Sequence, residues 1–305
     1  MVERVSGSGL PVLALLLNAL VWGVSWWPFR QLQAHGLHPL WSTALVYAFS
    51  LACLLAVRPG ALRHFATQPL LWLLLLAAGV TNVGFNWAVT AGDVVRVVLL
   101  FYLMPAWTLL LAWPLLGERP TAAGLARLLL ALAGVFTVLR TDGGGWPVPR
   151  EAADWLALLG GFSFALTNVL LRKLQHAAAD ARIAAMFGGG TLLALATAAA
   201  GLGAGIVAAP PSPDWGWVGM ALVLGLAFLA GNVGLQYGAA RLSAQTTALV
   251  MLSEVIFASA SSVALGAAEL GPRTWVGGAL ILAAAAWSAW PQPAGTSAPP
   301  AAGAK

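Results

Sequence analysis

Between Leu10 and Trp290 the chain is a succession of ten largely apolar runs separated by short turn-forming segments. The runs are Leu10–Phe29, Leu40–Val57, Pro69–Ala91, Val94–Leu116, Ala122–Leu139, Asp154–Leu171, Ile183–Leu202, Trp215–Gly238, Ala244–Ala267 and Trp275–Trp290. About 20 apolar residues carry an α-helix across the hydrocarbon core of a bilayer. Inside hydrocarbon every backbone N–H and C=O needs a partner, which admits only helices and closed barrels. A barrel would show alternating segments of about ten residues, and continuous apolar runs are seen instead. The pattern predicts an all-α integral membrane protein with ten transmembrane helices. Composition agrees: 8% of residues are charged and 60% hydrophobic, whereas a soluble domain carries about 25% charged residues.

The separators are rich in Gly, Pro and charge: RPGALRH at 58–64, GERPT at 117–121, TDGGGWPVPRE at 141–151, APPSPD at 209–214 and ELGPR at 269–273. Gly188–Gly190 interrupts the seventh run, its weakest point as a helix. The first run follows Arg4 but contains Trp22, Trp26 and Trp27 and lacks an A-x-A site, so it reads as an uncleaved first span. The tail after Trp290, PQPAGTSAPPAAGAK, reads as disordered.

The net charge of +5 would suggest nucleic acid in a soluble protein, but here the basic residues sit in loops. Arg4, Arg58, Arg63, Arg119, Arg172, Lys173, Arg182, Arg241 and Lys305 fall on the N-terminal side, nine in all. Arg30, Arg96, Arg140, Arg150 and Arg273, five in all, fall on the other side. The excess predicts that both termini are cytoplasmic. Arg96 and Arg127 lie near span ends and are expected to snorkel. The lone cysteine, Cys53, excludes an intrachain disulfide and a thiolate metal cluster.

The two halves of the chain resemble each other. Asn82–Pro105, NVGFNWAVTAGDVVRVVLLFYLMP, matches Asn232–Val255, NVGLQYGAARLSAQTTALVMLSEV, at a shift of 150. Leu17–Gln33 matches Leu159–Gln175 at a shift of 142, aligning Trp22 with Phe164 and Ser25 with Thr167. The ordered matches favour duplication over chance likeness of apolar helices. Each half holds five runs, an odd number, so the second enters the membrane inverted: 10–140 is one repeat and 154–290 the other. Inverted repeats are a plan of secondary transporters, with the site near the midplane between them.

These two halves, the acidic residue after each fourth run (Glu118 and Glu269) and the polar third and eighth runs resemble the drug/metabolite transporter superfamily. Within it the chain is similar to the EamA-type bacterial exporters, and most to those exporting aromatic amino acids. The resemblance covers the chain from Leu10 to Trp290. It implies ten helices in a bacterial inner membrane, with 1–4 and 6–9 around a central cavity and 5 and 10 peripheral. The kink proline of both fourth-type helices is present as Pro105 but replaced by Val255, which questions symmetric bending.

Glu254 is the one carboxylate near the middle of a run. A charge there costs about 2.5–3.5 kcal/mol on insertion scales, so it should face a cavity or be protonated. Two roles are open, a group for a substrate ammonium or coupling proton and a neutral interhelical hydrogen bond; Ser253 beside it joins the candidate set. Its partner in the first repeat is Met104, so its role is asymmetric. Asn82, Asn86, Asn232 and Gln236 stand four apart in each copy, hence on one helix face. They either line a path or act as interhelical glue worth about 0.6 kcal/mol each. Gly84-xxx-Ala88 and Gly234-xxx-Gly238 on the same helices favour close packing.

Of fifteen tryptophans, Trp41, Trp72, Trp113, Trp155, Trp215, Trp217, Trp275, Trp287 and Trp290 sit near run ends and read as an interfacial belt. Trp22, Trp87, Tyr102, Trp107, Phe164 and Tyr237 are deeper and either form a flat aromatic pocket or pack against neighbours. No P-loop G-x-x-x-x-G-K-[ST] is present, which argues against ATP hydrolysis, and no H-E-x-x-H or G-x-S-x-G supports an enzyme. The histidines fall in loops and suggest no core metal site; no cofactor is expected. Without a mid-run cluster of Arg or Lys, a strongly anionic substrate is disfavoured.

The function expected is export of a neutral or zwitterionic small molecule by alternating access, aromatic amino acids foremost. Another neutral metabolite or drug is the alternative substrate, and a channel or lipid scramblase the alternative class. The partners expected are the bilayer and the substrate, not nucleic acid, with the chain working as a monomer.

Overall fold

A computed structural model of the chain describes residues 9–117, 121–140, 148–239, 241 and 250–289. Arg4, Glu118, Arg119, most of the 141–151 segment, the start of the ninth run, Trp290 and the tail with Lys305 lie outside the described residues. The described residues form helices and connecting turns, with no strand among them. The helices are α1 (Gly9–Val24), α2 (Trp26–Ala34), α3 (Pro39–Val57), α4 (Leu70–Ala91), α5 (Val94–Phe101), α6 (Met104–Leu116), α7 (Ala122–Leu139), α8 (Ala152–Lys173), α9 (Ala179–Gly203), α10 (Trp215–Ala239), α11 (Ser253–Ala264) and α12 (Pro272–Ala289). A short 3₁₀ segment, Pro59–Ala66, links α3 to α4.

Eight described helices are long and apolar enough to cross a bilayer, counting α1–α2 and α5–α6 as one each. This is fewer than the ten runs: α11 spans 12 described residues and α12, opening on Pro272 and Arg273, falls outside the eight. The protein is a multi-pass membrane protein, without strands among the described residues. Gly188–Gly190 does not break α9; the three glycines are buried, and a Cβ on Gly189 or Gly190 would clash with Leu75 or Tyr47.

Three spans are interrupted, each for a local reason. Between α1 and α2, Pro28 has no N–H for the carbonyl of Val24, and the Ser25 hydroxyl bonds the Trp22 carbonyl at 2.8 Å. Between α5 and α6, Pro105 cannot bond the Phe101 carbonyl, and the chain turns at Tyr102–Leu103. The ninth run has no proline, yet it also turns, at Leu252. There the Ser253 hydroxyl takes the Val250 carbonyl at 2.7 Å, competing with the helical ladder. The doubt raised by Val255 is answered: the bend occurs at the matching place, by different chemistry.

Glycine sets the closest helix contacts. A Cβ on Gly84 of α4 would lie 2.9 Å from the Leu156 carbonyl of α8, and one on Gly234 of α10 would lie 2.6 Å from the Ala14 carbonyl of α1. Gly238 likewise abuts Leu15 and Pro11, as the spaced small residues suggest. Between α4 and α9, Gly189 would place a Cβ 2.0 Å from the Leu75 carbonyl, and Gly79 one 2.6 Å from the Gly189 carbonyl. Outside these contacts Trp72, Trp113, Trp155, Trp215, Trp275 and Trp287 are exposed, as a lipid-interface belt requires. Trp217 is an exception; it is buried and donates its indole N–H to the Ser212 carbonyl at 3.1 Å.

Gly189→Val should separate α4 from α9 and lower stability by about 3 kcal/mol or more, since the clash is with backbone that cannot yield. Gly219→Ala, where nothing lies within 4 Å, should be neutral or slightly stabilising. Thermal unfolding in detergent distinguishes them; equal midpoints would refute the contact.

Candidate functional site

The deep aromatic residues pack into a chain of rings. Trp22 of α1 meets Phe228 of α10 edge-on at 4.7 Å and Phe85 of α4 at 6.1 Å. Phe85 then meets Phe101 at 4.7 Å, and Phe101 meets Phe164 of α8 at 5.4 Å and Tyr102 at 6.2 Å. These are edge-to-face and tilted pairs, the geometry aromatic quadrupoles favour. The chain fills the middle of the bundle.

Tyr102 is buried at the turn between α5 and α6. Its hydroxyl lies 3.1 Å from the Glu254 carboxylate and 3.1 Å from the Met251 carbonyl. Glu254 is buried at the start of α11, with Ser253 half-buried beside it. The breaks of the fourth and ninth runs therefore touch through one hydroxyl. Asn18 of α1 reaches the same place, its amide N–H 3.6 Å from the Met251 sulfur, while its buried carbonyl oxygen has no partner.

The amides divide. Asn82 accepts from the Tyr47 hydroxyl at 2.8 Å and Asn86 donates to the Thr43 hydroxyl at 3.2 Å, so both tie α4 to α3. The Asn86 oxygen stays buried without a partner, as does that of Asn232 in α10. Gln236 is in α10, with its side chain outside the described atoms.

Three aromatic candidates lie elsewhere. Trp87 packs edge-on against His38 at 5.2 Å near the loop before α3. Burial pushes the His38 imidazole below its ordinary pKa, and its Nδ1 accepts from the Leu40 N–H at 3.3 Å to cap α3. Tyr237 lies under the Arg241 guanidinium, 3.7 Å from the ring centre. Trp107 turns to the exposed Phe162 at 5.7 Å, its indole N–H buried without a partner.

A cavity of about 410 Å³ opens between α6, α7, α8 and α12, so the fifth and tenth runs, expected at the periphery, supply two of its walls. It runs from Tyr102 to Leu116, Gly124 and Arg172, toward the end of the bundle where α1 begins. Arg127, Asn168 and Thr108 supply the other polar side chains of an otherwise apolar wall. Among the candidates read from sequence, Tyr102 lines this cavity, and Glu254 sits behind it.

Toward the opposite end, charged side chains tie the helices together. Arg96 of α5 grips Asp154 of α8 through both carboxylate oxygens, at 2.7 and 2.9 Å, and donates to the Val138 carbonyl at the end of α7 at 3.0 Å. Asp154 is 1% exposed and also accepts from the Arg150 N–H at 3.1 Å. Alongside, Arg30 of α2 donates to the Val89 carbonyl at 3.1 Å and to that of Gly92, joining α2 to the end of α4. Arg96 thus does not snorkel, because a fork-shaped partner lies beside it. Arg127 is half-buried on the cavity wall and bonds the Trp287 carbonyl at 3.4 Å. The pairing of Arg96 with Asp154 was not read from sequence; two charges at the facing starts of the fourth and sixth runs were its only signal.

Thirteen chains of known structure match this one. One of them, a crystal structure, aligns with a TM-score of 0.56 at 18% identity, over 91% of this chain and 96% of the other, a likeness of fold. No curated protein matches the sequence significantly. Residues 9–140, which contain α1–α7, match the EamA-like transporter family. The chain carries an EamA-like domain, from a family of membrane transporters in the drug/metabolite transporter superfamily.

Proposed function

We propose that the protein is a secondary transporter working by alternating access, which exports amino acids, aromatic ones foremost, across a bacterial inner membrane. One observation carries the reading: a cavity open toward one end of the bundle stops at Tyr102, and the other end is closed by Arg96–Asp154 and Arg30. In this reading the cavity end is cytoplasmic, both termini lie there, and the chain acts as a monomer of ten helices.

The packing supports two inverted repeats. The contact of Gly84 with Leu156 has its counterpart in Gly234 with Ala14, and the partners are related by the shifts of 150 and 142 found in the sequence. Gly134 and Gly277, one from each half, press on each other's carbonyls across α7 and α12. The breaks at Tyr102 and Leu252 are a third such pair, also 150 apart.

Transport is tested by counterflow of labelled amino acids in proteoliposomes, with and without a pH gradient. Saturable, competable exchange of aromatic amino acids is expected; non-saturating flux would identify a channel, and loss of lipid asymmetry a scramblase.

Opening the closed end requires parting Arg96 from Asp154. Asp154→Asn should weaken that closure by on the order of 2 kcal/mol, because the guanidinium loses its charged partner while still part-exposed. Labelling of an Ala157→Cys probe, in a Cys53→Ser background, by an impermeant maleimide should then rise from that side. The swap Arg96→Asp with Asp154→Arg should restore protection; unchanged labelling throughout would overturn the gate.

Glu254 fits a proton carrier. The Tyr102 hydroxyl has one hydrogen. If it donates to the Met251 carbonyl, its contact with Glu254 requires the carboxyl to donate in return. Glu254→Gln should preserve that contact but abolish pH-dependent exchange, whereas Tyr102→Phe should remove it at about 1–3 kcal/mol. A rate independent of pH in both wild type and Glu254→Gln would leave a facilitator.

A further inference from the structure

We infer that the cleft between α6, α7, α8 and α12 binds molecules with an apolar body and an acidic head, and that it recognises the acid and not an amine. The inference rests on the transporter reading in taking this cleft as the substrate route; binding is measurable without it. At about 410 Å³ the space suits a small molecule. Its walls are aliphatic, from Ala106, Leu109, Leu128, Val169 and Ile281.

The charged groups among its described lining residues are of one sign. Arg127 stands on the wall and Arg172 lies exposed at the mouth, with the neutral Asn168 beside them. Among the described residues no Asp or Glu lines the cleft. Glu254 is buried behind the Tyr102 hydroxyl, so among the described residues a bound ammonium meets no carboxylate on the wall. Arg127 gives an N–H to the Trp287 carbonyl at 3.4 Å, and a guanidinium carries five. Its planar fork fits a carboxylate through two parallel bonds, in a half-buried setting where the attraction is stronger than in water. This bears on an aromatic amino acid: its carboxylate and ring are read here, and its amine is not. A carboxylate with an apolar tail is also the chemistry of a fatty acid, and an anionic phospholipid presents the same pairing of acid and chain.

The test is equilibrium binding to the full chain in zwitterionic-lipid nanodiscs, using indole-3-propionate, tryptamine and indole as probes. Indole-3-propionate should bind at least about tenfold more tightly than the other two, and Arg127→Gln should remove about that factor. Arg127→Lys, which keeps the charge but loses the fork, should fall between. Arg63→Gln, a basic change in the loop at the same end, should leave binding unchanged.

In nanodiscs containing phosphatidylglycerol, competition that disappears with Arg127→Gln would identify a lipid as occupant of the same acid site. Equal binding of tryptamine or indole, or no effect of Arg127→Gln in a folded protein, would overturn the inference, as would absence of both propionate and lipid binding. If counterflow accepts tryptamine as readily as tryptophan, this inference fails while transport stands. If indole-3-propionate binds and no counterflow occurs, the transporter reading fails and the acid site stands.

Discussion

Backbone-to-backbone approach at glycine is the contact on which the other features depend. In a bilayer the hydrophobic effect does not drive helices together, because lipid tails are as apolar as leucine; close packing and polar contacts must do so. Gly84 and Gly234 let α4 reach the backbone of α8, and α10 that of α1. Among these helices the rings of Trp22, Phe85, Phe101 and Phe164 meet one after another. Tyr102, in contact with Phe101, reaches Glu254.

The polar groups follow a division of labour between the ends and the middle. Arg96, Asp154 and Arg30 use charge and carbonyls to join helix ends, where a charged pair is only partly removed from water. The middle relies on neutral hydroxyl and amide pairs, Tyr47 with Asn82 and Thr43 with Asn86. A charge in the middle costs more than one near the interface. Glu254 is the exception, and its partner is a hydroxyl able to donate or accept.

Much of the helical layout was legible in the sequence, because span length and turn chemistry act locally. The limits of the fifth run, Ala122–Leu139, are those of α7, and the NVG glycines lie at helix contacts as spaced small residues predict. The site was less legible. Four-residue spacing puts Asn82 and Asn86 on one face without saying that Tyr47 and Thr43 occupy it. Apolar periodicity is silent on Asp154, fifty-eight residues from its partner. The cavity was missed because its walls are alanine and leucine, residue types that look alike whether they meet lipid, a neighbour or a ligand.

The two matched breaks differ in how permanent they are. At Pro105 the missing N–H is covalent, and no motion of the chain can restore that rung of the ladder. At Leu252 the interruption is held by the Ser253 hydroxyl on the Val250 carbonyl, and a single χ1 rotation withdraws it. Side-chain rotamers change in nanoseconds where there is room. The first half therefore carries a break fixed in the covalent chain, and the second one held by a side chain that can rotate.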